Sequence, residues 1–269
     1  MNVVFLSPHF PPNWYLFATA LHDQGANVLG IAEAPYEELR PELQGALTDY
    51  YRVDDMNDYG QLLRALAWFT HRHGKLDRLD SLNEWWLETE ARLRTDFNIP
   101  GIGTGEIARM KRKSVMKRLF VRAGLTPGQG RVCRSPQAAR AFAEECGYPI
   151  VAKPDAGVGA AATHKLATAE DLEAYLATKP TVDYILEKYL SGTLLTYDGM
   201  VNRRSEVVFG SSFYYSGGVM EAVNEDWDIW YCITRKVPPD VEAAGISIKV
   251  VSYPASTPDL TVPLLAAGA

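Results

Sequence analysis

Apolar residues follow two different periods along the first part of the chain, and these predict strands and helices in alternation. Short apolar runs predict strands at 2–7, 27–32 and 76–82. Apolar residues at helical spacing predict helices at 14–24, 58–72 and 88–97. The order strand, helix, strand is typical of a parallel sheet covered by helices. We therefore predict a parallel α/β domain over residues 1–105.

The pattern changes after residue 105. Helices are predicted at 106–123, which is rich in lysine and arginine, and at 135–146 and 169–177. Strands are predicted at 148–153, 183–190, 194–200 and 206–209. Regular alternation is lost, which favours an α+β domain. We predict a small lobe over 106–190 and an incomplete large lobe over 191–269, whose last residues, 245–269, show no clear period.

Composition narrows the class of protein. With 269 residues and 47% hydrophobic content, the chain is long enough for more than one core. A net charge of −6 does not favour binding to nucleic acid. The three cysteines are scattered and odd in number, which suits the reducing cytoplasm. No apolar run approaches the roughly 20 residues of a membrane span, so we expect a cytoplasmic protein without a membrane partner.

The histidines do not form a recognisable metal-binding motif in the sequence. His71 and His73 are the only close pair, and no third ligand lies near them in the sequence. The simpler interpretation is a solvated helix end, so we predict no metal site built on them.

The second part of the chain carries the candidate chemistry. Two lysines and a glycine-bearing loop suit a polyphosphate, because cations and amide donors neutralise it. An acid on an apolar strand suits the polar edge of a base. Each of these features also has an interpretation without function: a solvated helix face, a lysine whose stem packs on apolar surface, a hairpin turn, or an outward-facing strand residue. The candidates are Lys113, Lys153, Gly157, Gly159, Glu187 and Asp198.

The order of these residues resembles the ATP-grasp superfamily. MKRKSVMKRLFVRAGLTP is similar to its opening helix, YPIVAKPDAGVGA to its second lysine and phosphate loop, and ILEKYLSGTLLTYDGMV to its hinge. The type that the chain resembles is the carbamoyl-phosphate-synthase-like, carboxylate–amine ligase. The resemblance implies an N-terminal preATP-grasp domain of Rossmann-like architecture, followed by an α+β ATP-grasp domain that lacks its closing segment.

The resemblance also implies roles for individual residues. Lys113 and Lys153 are the nucleotide lysines, and Gly157 and Gly159 lie in the phosphate loop. Glu187 is the adenine-binding acid. Backbone contacts to the base come from Lys188, Tyr189 and Leu190, and Asp198 belongs to the same nucleotide-binding set.

The implied reaction is an ATP-dependent ligation. ATP phosphorylates a small carboxylate, and an amine, or a thiol, then displaces phosphate from the acyl phosphate. ATP and Mg²⁺ are the implied cofactors, and a homodimer is one assembly that the family allows. Two alternatives stay open: a non-catalytic ATP-binding or regulatory module, and a poorly folded remnant.

Two departures from the family pattern bear on activity. The position of the ribose-binding acid holds Thr193 or Leu194. The late acid and acid-x-Asn pair that hold Mg²⁺ in the family have no counterpart after Pro239. Asn224, Glu225 and Asp226 have suitable chemistry but come early and in another order, so the sequence assigns no Mg²⁺ ligand and leaves open whether this chain is active.

Overall fold

A computed structural model of the chain describes residues 1–157, 162–178, 182–202, 206–218 and 228–243, with the single residues 204, 220 and 222. It divides the chain into two compact units, Met1–Ile107 and Ala108–Ala269. Within the described residues, no helix is both long and apolar enough to cross a membrane. The predicted α/β architecture, followed by a mixed domain, is confirmed.

The first unit alternates strands and helices. Its strands are β1 (Asn2–Leu6), β2 (Asn27–Ala32), β3 (Asp49–Arg52) and β4 (Arg78–Asp80). Its α-helices are α1 (Tyr15–Asp23), α2 (Pro41–Ala46), α3 (Tyr59–His73) and α4 (Leu87–Asp96). Short 3₁₀ turns cover Tyr36–Glu38 and Glu84–Trp86.

These strands form one parallel sheet in the order β3-β2-β1-β4. Side chains alternate between the faces of a strand, so the apolar runs of β1 and β2 supply a core on each side. One core contains Val4 and Ile31 with residues of α3 and α4. The other contains Phe5 and Val28 with residues of α1 and α2. The sheet is therefore covered on both faces, as continuous apolar strands require.

Helix α2 and strand β3 are not among the elements predicted from the sequence. Helix α2 is only six residues long, too short for its apolar spacing to show a period. Strand β3 has the sequence DYYR, in which no residue is fully buried, because it lies at the edge of the sheet. Edge strands need fewer apolar residues, and their pattern is correspondingly weak.

The second unit mixes helices with two described antiparallel sheets. Its helices are α5 (Ala108–Lys111), α6 (Lys113–Arg122), α7 (Pro136–Cys146) and α8 (Ala169–Thr178). Strands β5 (Gly130–Val132), β6 (Ile150–Pro154), β7 (His164–Leu166) and β8 (Tyr184–Lys188) form a sheet in the order β5-β8-β6-β7. Strands β9 (Asp198–Val201), β10 (Val207–Tyr215) and β11 (Tyr231–Thr234) form the other, in the order β11-β10-β9.

The β5-β8-β6-β7 sheet has two chemically different faces. Ile150 and Ala152 of β6 and Leu186 of β8 are buried in a core that α7 and α8 complete. Residues that alternate with them, Val151, Lys153 and Glu187, lie on the opposite face. One face therefore stabilises the lobe, while the other carries charge.

The predicted basic helix at 106–123 is interrupted, which corrects the sequence analysis. Arg112 has an extended backbone, with φ −100° and ψ 114°, and forms a β-bridge with Ala156. Helix α5 ends before it and α6 begins after it. No proline or glycine marks this break, so the sequence gives no local signal for it.

A buried charge network fixes the end of β4 in the first unit. Glu90 of α4 accepts a hydrogen bond from the Ser81 hydroxyl and forms an ion pair with Arg94 at 2.9 Å. Arg94 also donates to the Leu79 carbonyl from Nε at 3.0 Å and from Nη2 at 2.7 Å. Burial, followed by the charge of Asp80, raises the pKa of Glu90 to about 7 despite Arg94.

The Glu90 pKa generates a prediction about stability. The folded carboxyl keeps its proton to a higher pH than the unfolded one, so the free energy of unfolding falls as pH rises from about 4.5 to about 7. Relative to Glu90→Gln, the wild-type chain should lose up to about 3 kcal/mol across this window. Urea unfolding monitored by tryptophan fluorescence at several pH values measures the difference.

Glu88→Gln, an exposed change on the same helix, should follow the wild-type pH dependence. The assignment is wrong if wild type and Glu90→Gln show the same pH dependence between about pH 4.5 and about pH 7, because the Glu90 carboxyl would then titrate alike in the folded and unfolded chains.

Candidate functional site

Strand β6 ends in buried charge. Lys153 is 8% exposed and Asp155 is 2% exposed, and both follow the apolar run that forms the core of the lobe. Alternation places them on the face of the sheet opposite α7 and α8. Buried charges must be paired, so the partners of these two residues define the site.

Glu187 lies between two lysines. Its Oε2 is 2.7 Å from the Lys153 Nζ, and its Oε1 is 3.0 Å from the Lys117 Nζ. Glu187 is opposite Val151 in the ladder, so Lys153 is its diagonal neighbour on the same face, within reach of a long side chain. The three side chains are between 10% and 20% exposed. The cluster therefore carries two cations and one anion in a site largely shielded from water.

Gly130 makes room for this cluster. It pairs with Glu187 in the β5–β8 ladder. A Cβ at Gly130 would lie 2.8 Å from Lys117 Cε and 3.1 Å from Glu187 Cγ, both too close. The Lys117 ammonium also donates to the Gly128 carbonyl at 2.7 Å. The absence of a side chain at 130 thus lets a lysine from α6 reach the acid on β8.

Asp155 anchors the first turn of α6. Its Oδ1 accepts from the Ser114 N–H at 2.8 Å and its Oδ2 accepts from the Ser114 hydroxyl at 2.9 Å. The Lys113 N–H donates to the Asp155 carbonyl at 2.9 Å. A carboxylate at a helix N-terminus satisfies amides that have no partner within the helix and complements the helix dipole. Helix α6 is therefore fixed to the end of the strand that carries Lys153.

The first predicted lysine extends from this anchored turn. The Lys113 ammonium is 3.4 Å from the Gly157 carbonyl, in the loop that follows β6. Lys113 and Lys117 are four residues apart and so share one face of the helix. The structure brings Lys113 to the predicted glycine loop and Lys153 to Glu187. Gly159, the other predicted glycine of that loop, lies outside the described residues.

The predicted hinge residues follow Glu187 directly. The Lys188 N–H donates to the Gln129 carbonyl at 3.0 Å, and the Tyr189 N–H donates to the Pro149 carbonyl at 3.2 Å. The Tyr189 ring lies 4.2 Å from the Lys165 ammonium. Leu190 is 67% exposed. Two of the three hinge amides are thus engaged within the protein.

Asp198 lies in a different sheet from Lys153 and Glu187. It begins β9, and its Oδ2 accepts from the Thr196 hydroxyl at 3.0 Å. Partial burial raises the pKa of Asp198, and the bond from Thr196 opposes that rise. No recorded bond joins this residue to the lysine cluster in the described part of the chain.

Two residues of the site were missed by the sequence analysis as functional candidates. Lys117 was treated as one member of a basic helix, although its spacing of four from Lys113 was a usable signal. Asp155 follows Lys153 and Pro154 in the segment that resembles the phosphate loop, and the sequence assigns it no role of its own. Neither pairing could be derived locally, because their partners lie 70 and 41 positions away in the chain.

The described residues contain no group of three or more histidine, cysteine, aspartate or glutamate side chains arranged to hold a metal ion. Asn224, Glu225 and Asp226, which the sequence raised as substitutes, lie outside those residues.

No protein-family model matches the chain. A stretch of 128 residues is 30% identical to the large chain of carbamoyl phosphate synthase from Deinococcus deserti, which amounts to 45% of this chain and 12% of that protein. The chain therefore spans only a small part of the curated relative that it matches.

Solved structures cover much more of the chain. The L-amino acid ligase from Bacillus licheniformis has a TM-score of 0.67 at 17% identity, over 93% of this chain and 60% of that one. A biotin carboxylase domain from Hydrogenobacter thermophilus, solved with MgADP, ADP and bicarbonate, has a TM-score of 0.61 at 15% identity, over 93% of this chain and 69% of that one. The chain therefore shares its fold with these solved structures.

Asp155 generates a prediction about the anchored helix. Replacement by alanine removes the acceptor of two Ser114 hydrogen bonds and leaves a desolvated N–H, so the opening free energy of α6 should fall by about 2–4 kcal/mol. Native-state hydrogen exchange of the α6 amides measures it.

Asp171→Ala is the matched control. Asp171 also accepts backbone N–H groups, from Ala167 and Thr168, but in an exposed setting, and its loss should cost about 1 kcal/mol or less at α8. Equal protection of α6 in wild type and Asp155→Ala would contradict the anchoring role.

Proposed function

We propose that the second unit binds ATP and that the chain acts as an ATP-dependent carboxylate–amine ligase. The observation that supports this most directly is the arrangement of Lys117 and Lys153 around Glu187. Two ammonium groups on one carboxylate leave a surplus positive charge in a site shielded from water, where electrostatic attraction for an anion is strong. The residues present therefore fit a polyphosphate.

The proposed phosphate contacts come from both ends of the cluster. Lys153 lies at the end of β6, and Lys113 reaches Gly157 in the loop that follows. Lysines act as point charges toward phosphate, and glycines let backbone amides approach it. We assign Lys113, Lys153, Gly157 and Gly159 to the phosphates, and we add Lys117 as a cation that the sequence analysis did not include.

Glu187 and the hinge are assigned to the base. An exocyclic amino group of adenine is a donor and would share the Glu187 carboxylate with the lysines. The Lys188 and Tyr189 amides already donate within the protein, so the Leu190 N–H is the hinge donor that we propose for the ring. Lys188 and Tyr189 then shape the backbone at this point. Asp198 keeps its predicted place in the nucleotide set as a proposal.

The proposed reaction has two steps. A carboxylate oxygen of the substrate attacks the γ-phosphorus of ATP, and the bond to ADP breaks. The amine nitrogen, or a thiol sulfur, then attacks the acyl carbon, and phosphate leaves with the bonding electron pair while the nucleophile loses a proton. Lysines would stabilise the charge that develops on the transferred phosphoryl group, and exclusion of water would protect the acyl phosphate.

Mg²⁺ does not fit the described residues as a bound ion. Asp155 is engaged by the helix, and Glu187 by two lysines. A hard cation needs several oxygen ligands together, and the described residues do not offer such a set. We therefore assign no step to the metal in this chain.

Three further expectations stay predictions: a homodimer, a cytoplasmic location, and a division of the second unit near residue 190.

Lys153→Met tests the nucleotide site. Removal of a buried cation that contacts phosphate should weaken ATP binding at least about tenfold, since charged hydrogen bonds contribute roughly 1.5–3 kcal/mol. Calorimetry with the full chain measures the affinity. Lys75→Met, an exposed lysine in the first unit, serves as the control and should bind ATP as the wild type does.

Phosphate release then separates ligase from binding module. The wild-type chain, supplied with ATP, Mg²⁺ and panels of small carboxylates and amines, should release phosphate only when both substrates are present. ATP binding without release across a broad panel favours the non-catalytic module. A folded chain that binds no ATP contradicts both.

Gly130→Ala tests the geometry of the cluster without removing a charge. The new methyl group meets the flexible end of Lys117, so the fold should be retained within about 1 kcal/mol while the ammonium is displaced from Glu187. ATP affinity should fall several-fold. Gly45→Ala, where the added carbon meets nothing within 4 Å, is the control; unchanged ATP affinity in Gly130→Ala would exclude Lys117 from the site.

A further inference from the structure

A second cleft lies in the first unit, at the carboxyl edge of its parallel sheet. It has a volume of about 290 Å³. Residues that follow each of the four strands line it: His9 and Phe10 after β1, Glu33 after β2, Met56 after β3, and Trp85 and Trp86 after β4. One cleft therefore collects side chains from every strand of the sheet.

The topology explains why a cleft forms here. In the order β3-β2-β1-β4, the chain proceeds from β1 outward to β2 and β3, and then returns to place β4 on the other side of β1. The connections that follow β1 and β4 therefore diverge. In parallel α/β sheets, ligands bind in the crevice outside the carboxyl ends of strands at such a reversal of order.

Aromatic surface is exposed at this cleft. Phe10 is 59% exposed and Trp85 is 61% exposed, although both are large apolar side chains. Trp86 adds a partly buried indole to the lining. The faces of aromatic rings carry negative charge density and attract cations.

The side chains that line the cleft carry a net negative charge, which comes from Glu33. Glu33 is exposed, and its Oε1 accepts from the Met56 N–H at 2.7 Å, which orients the carboxylate. Burial lowers the pKa of His9, against the smaller opposing effect of Glu33, so the imidazole adds no positive charge at neutral pH. Glu33 is then the one charged side chain among the residues that line the cleft.

From this combination we propose that the cleft binds a small organic ammonium ion, with its charge at Glu33 and its apolar part against Phe10 and Trp85. A carboxylate beside aromatic faces is complementary to such a cation in both charge and polarisability. A phosphate or carboxylate ligand would meet a like charge at Glu33, whereas the Arg52 guanidinium, which donates to the Glu33 carbonyl at 2.9 Å, is not among the lining residues. This site is separate in sequence from the lysine cluster, and the inference does not depend on the proposed nucleotide binding.

Three probes of similar size test the chemistry: benzylamine, which is a cation at pH 7, benzyl alcohol and benzoate. Binding to the full chain is followed by the indole ¹H–¹⁵N signals and by calorimetry. Benzylammonium should bind at least about tenfold more tightly than benzyl alcohol, and benzoate should not bind. The signals that shift should be those of Trp85 and Trp86.

Variants separate the carboxylate from the rings. Glu33→Gln keeps an acceptor for the Met56 N–H and should fold, but should lose the preference for the cation. Trp85→Ala, at an exposed position, should weaken benzylammonium binding several-fold. Glu37→Gln, an exposed acid on the neighbouring 3₁₀ turn, should change nothing.

Three results would overturn the proposal: no benzylammonium binding at millimolar concentration, equal affinity for the alcohol, or full binding in Glu33→Gln. Lys153→Met serves to keep the two sites distinct, because it should lose ATP affinity and retain benzylammonium binding. Loss of benzylammonium binding in Lys153→Met would also contradict a separate site.

Discussion

The carboxylate of Asp155 accepts hydrogen bonds from the first turn of helix α6, and the positions of Lys113 and Lys117 on that helix follow from this anchor. The buried carboxylate requires donors, and the helix N-terminus requires an acceptor. Each satisfies the other. Once the first turn is held at the end of β6, helical geometry brings Lys117, one turn later, over the same face of the sheet as Glu187.

The same constraint accounts for the pairing of Glu187. An isolated carboxylate on that face would be costly to desolvate, and so would either lysine alone. Together they form a partly shielded group with one positive charge in excess. Removal of Glu187 would leave two uncompensated ammonium groups, and removal of either lysine would abolish the excess that an incoming anion would compensate. The proposed affinity for a polyanion therefore depends on the same side chains as the stability of the lobe.

The sequence predicted helices and strands correctly where several buried apolar residues follow one helical or strand spacing. Strand β2 was predicted with its observed bounds, and β1, α3 and α7 to within a few residues, because their apolar positions face a core. It failed at β3, β5 and β11, which are three or four residues long and lie at the edges of their sheets. An edge strand is specified by its neighbour more than by its own side chains.

Some residues of the candidate site could be predicted from the sequence and others could not. Lys153 and Glu187 could be selected because each interrupts an apolar strand, and a charge in such a place needs a reason. The break at Arg112 could not be foreseen, since it arises from a bridge to Ala156, a residue distant in sequence. Gly130 shows the limit most clearly. No strand is predicted around it from the sequence, whereas the structure shows a strand residue whose missing side chain leaves the space that Lys117 occupies.

The two units place charge at strand ends in different ways, and the difference bears on what each can bind. In the first unit, Arg94 and Glu90 are both almost fully buried and satisfy each other and the backbone, so that network serves the fold. In the second unit, the two lysines are paired with a single acid, and their side chains are 10% exposed at Lys153 and 20% exposed at Lys117. A closed, balanced network has nothing left to offer a ligand. An open network with an excess of one sign can still attract a ligand of the opposite charge, and that distinction, more than the presence of charge, supports the proposal that the second unit binds the nucleotide.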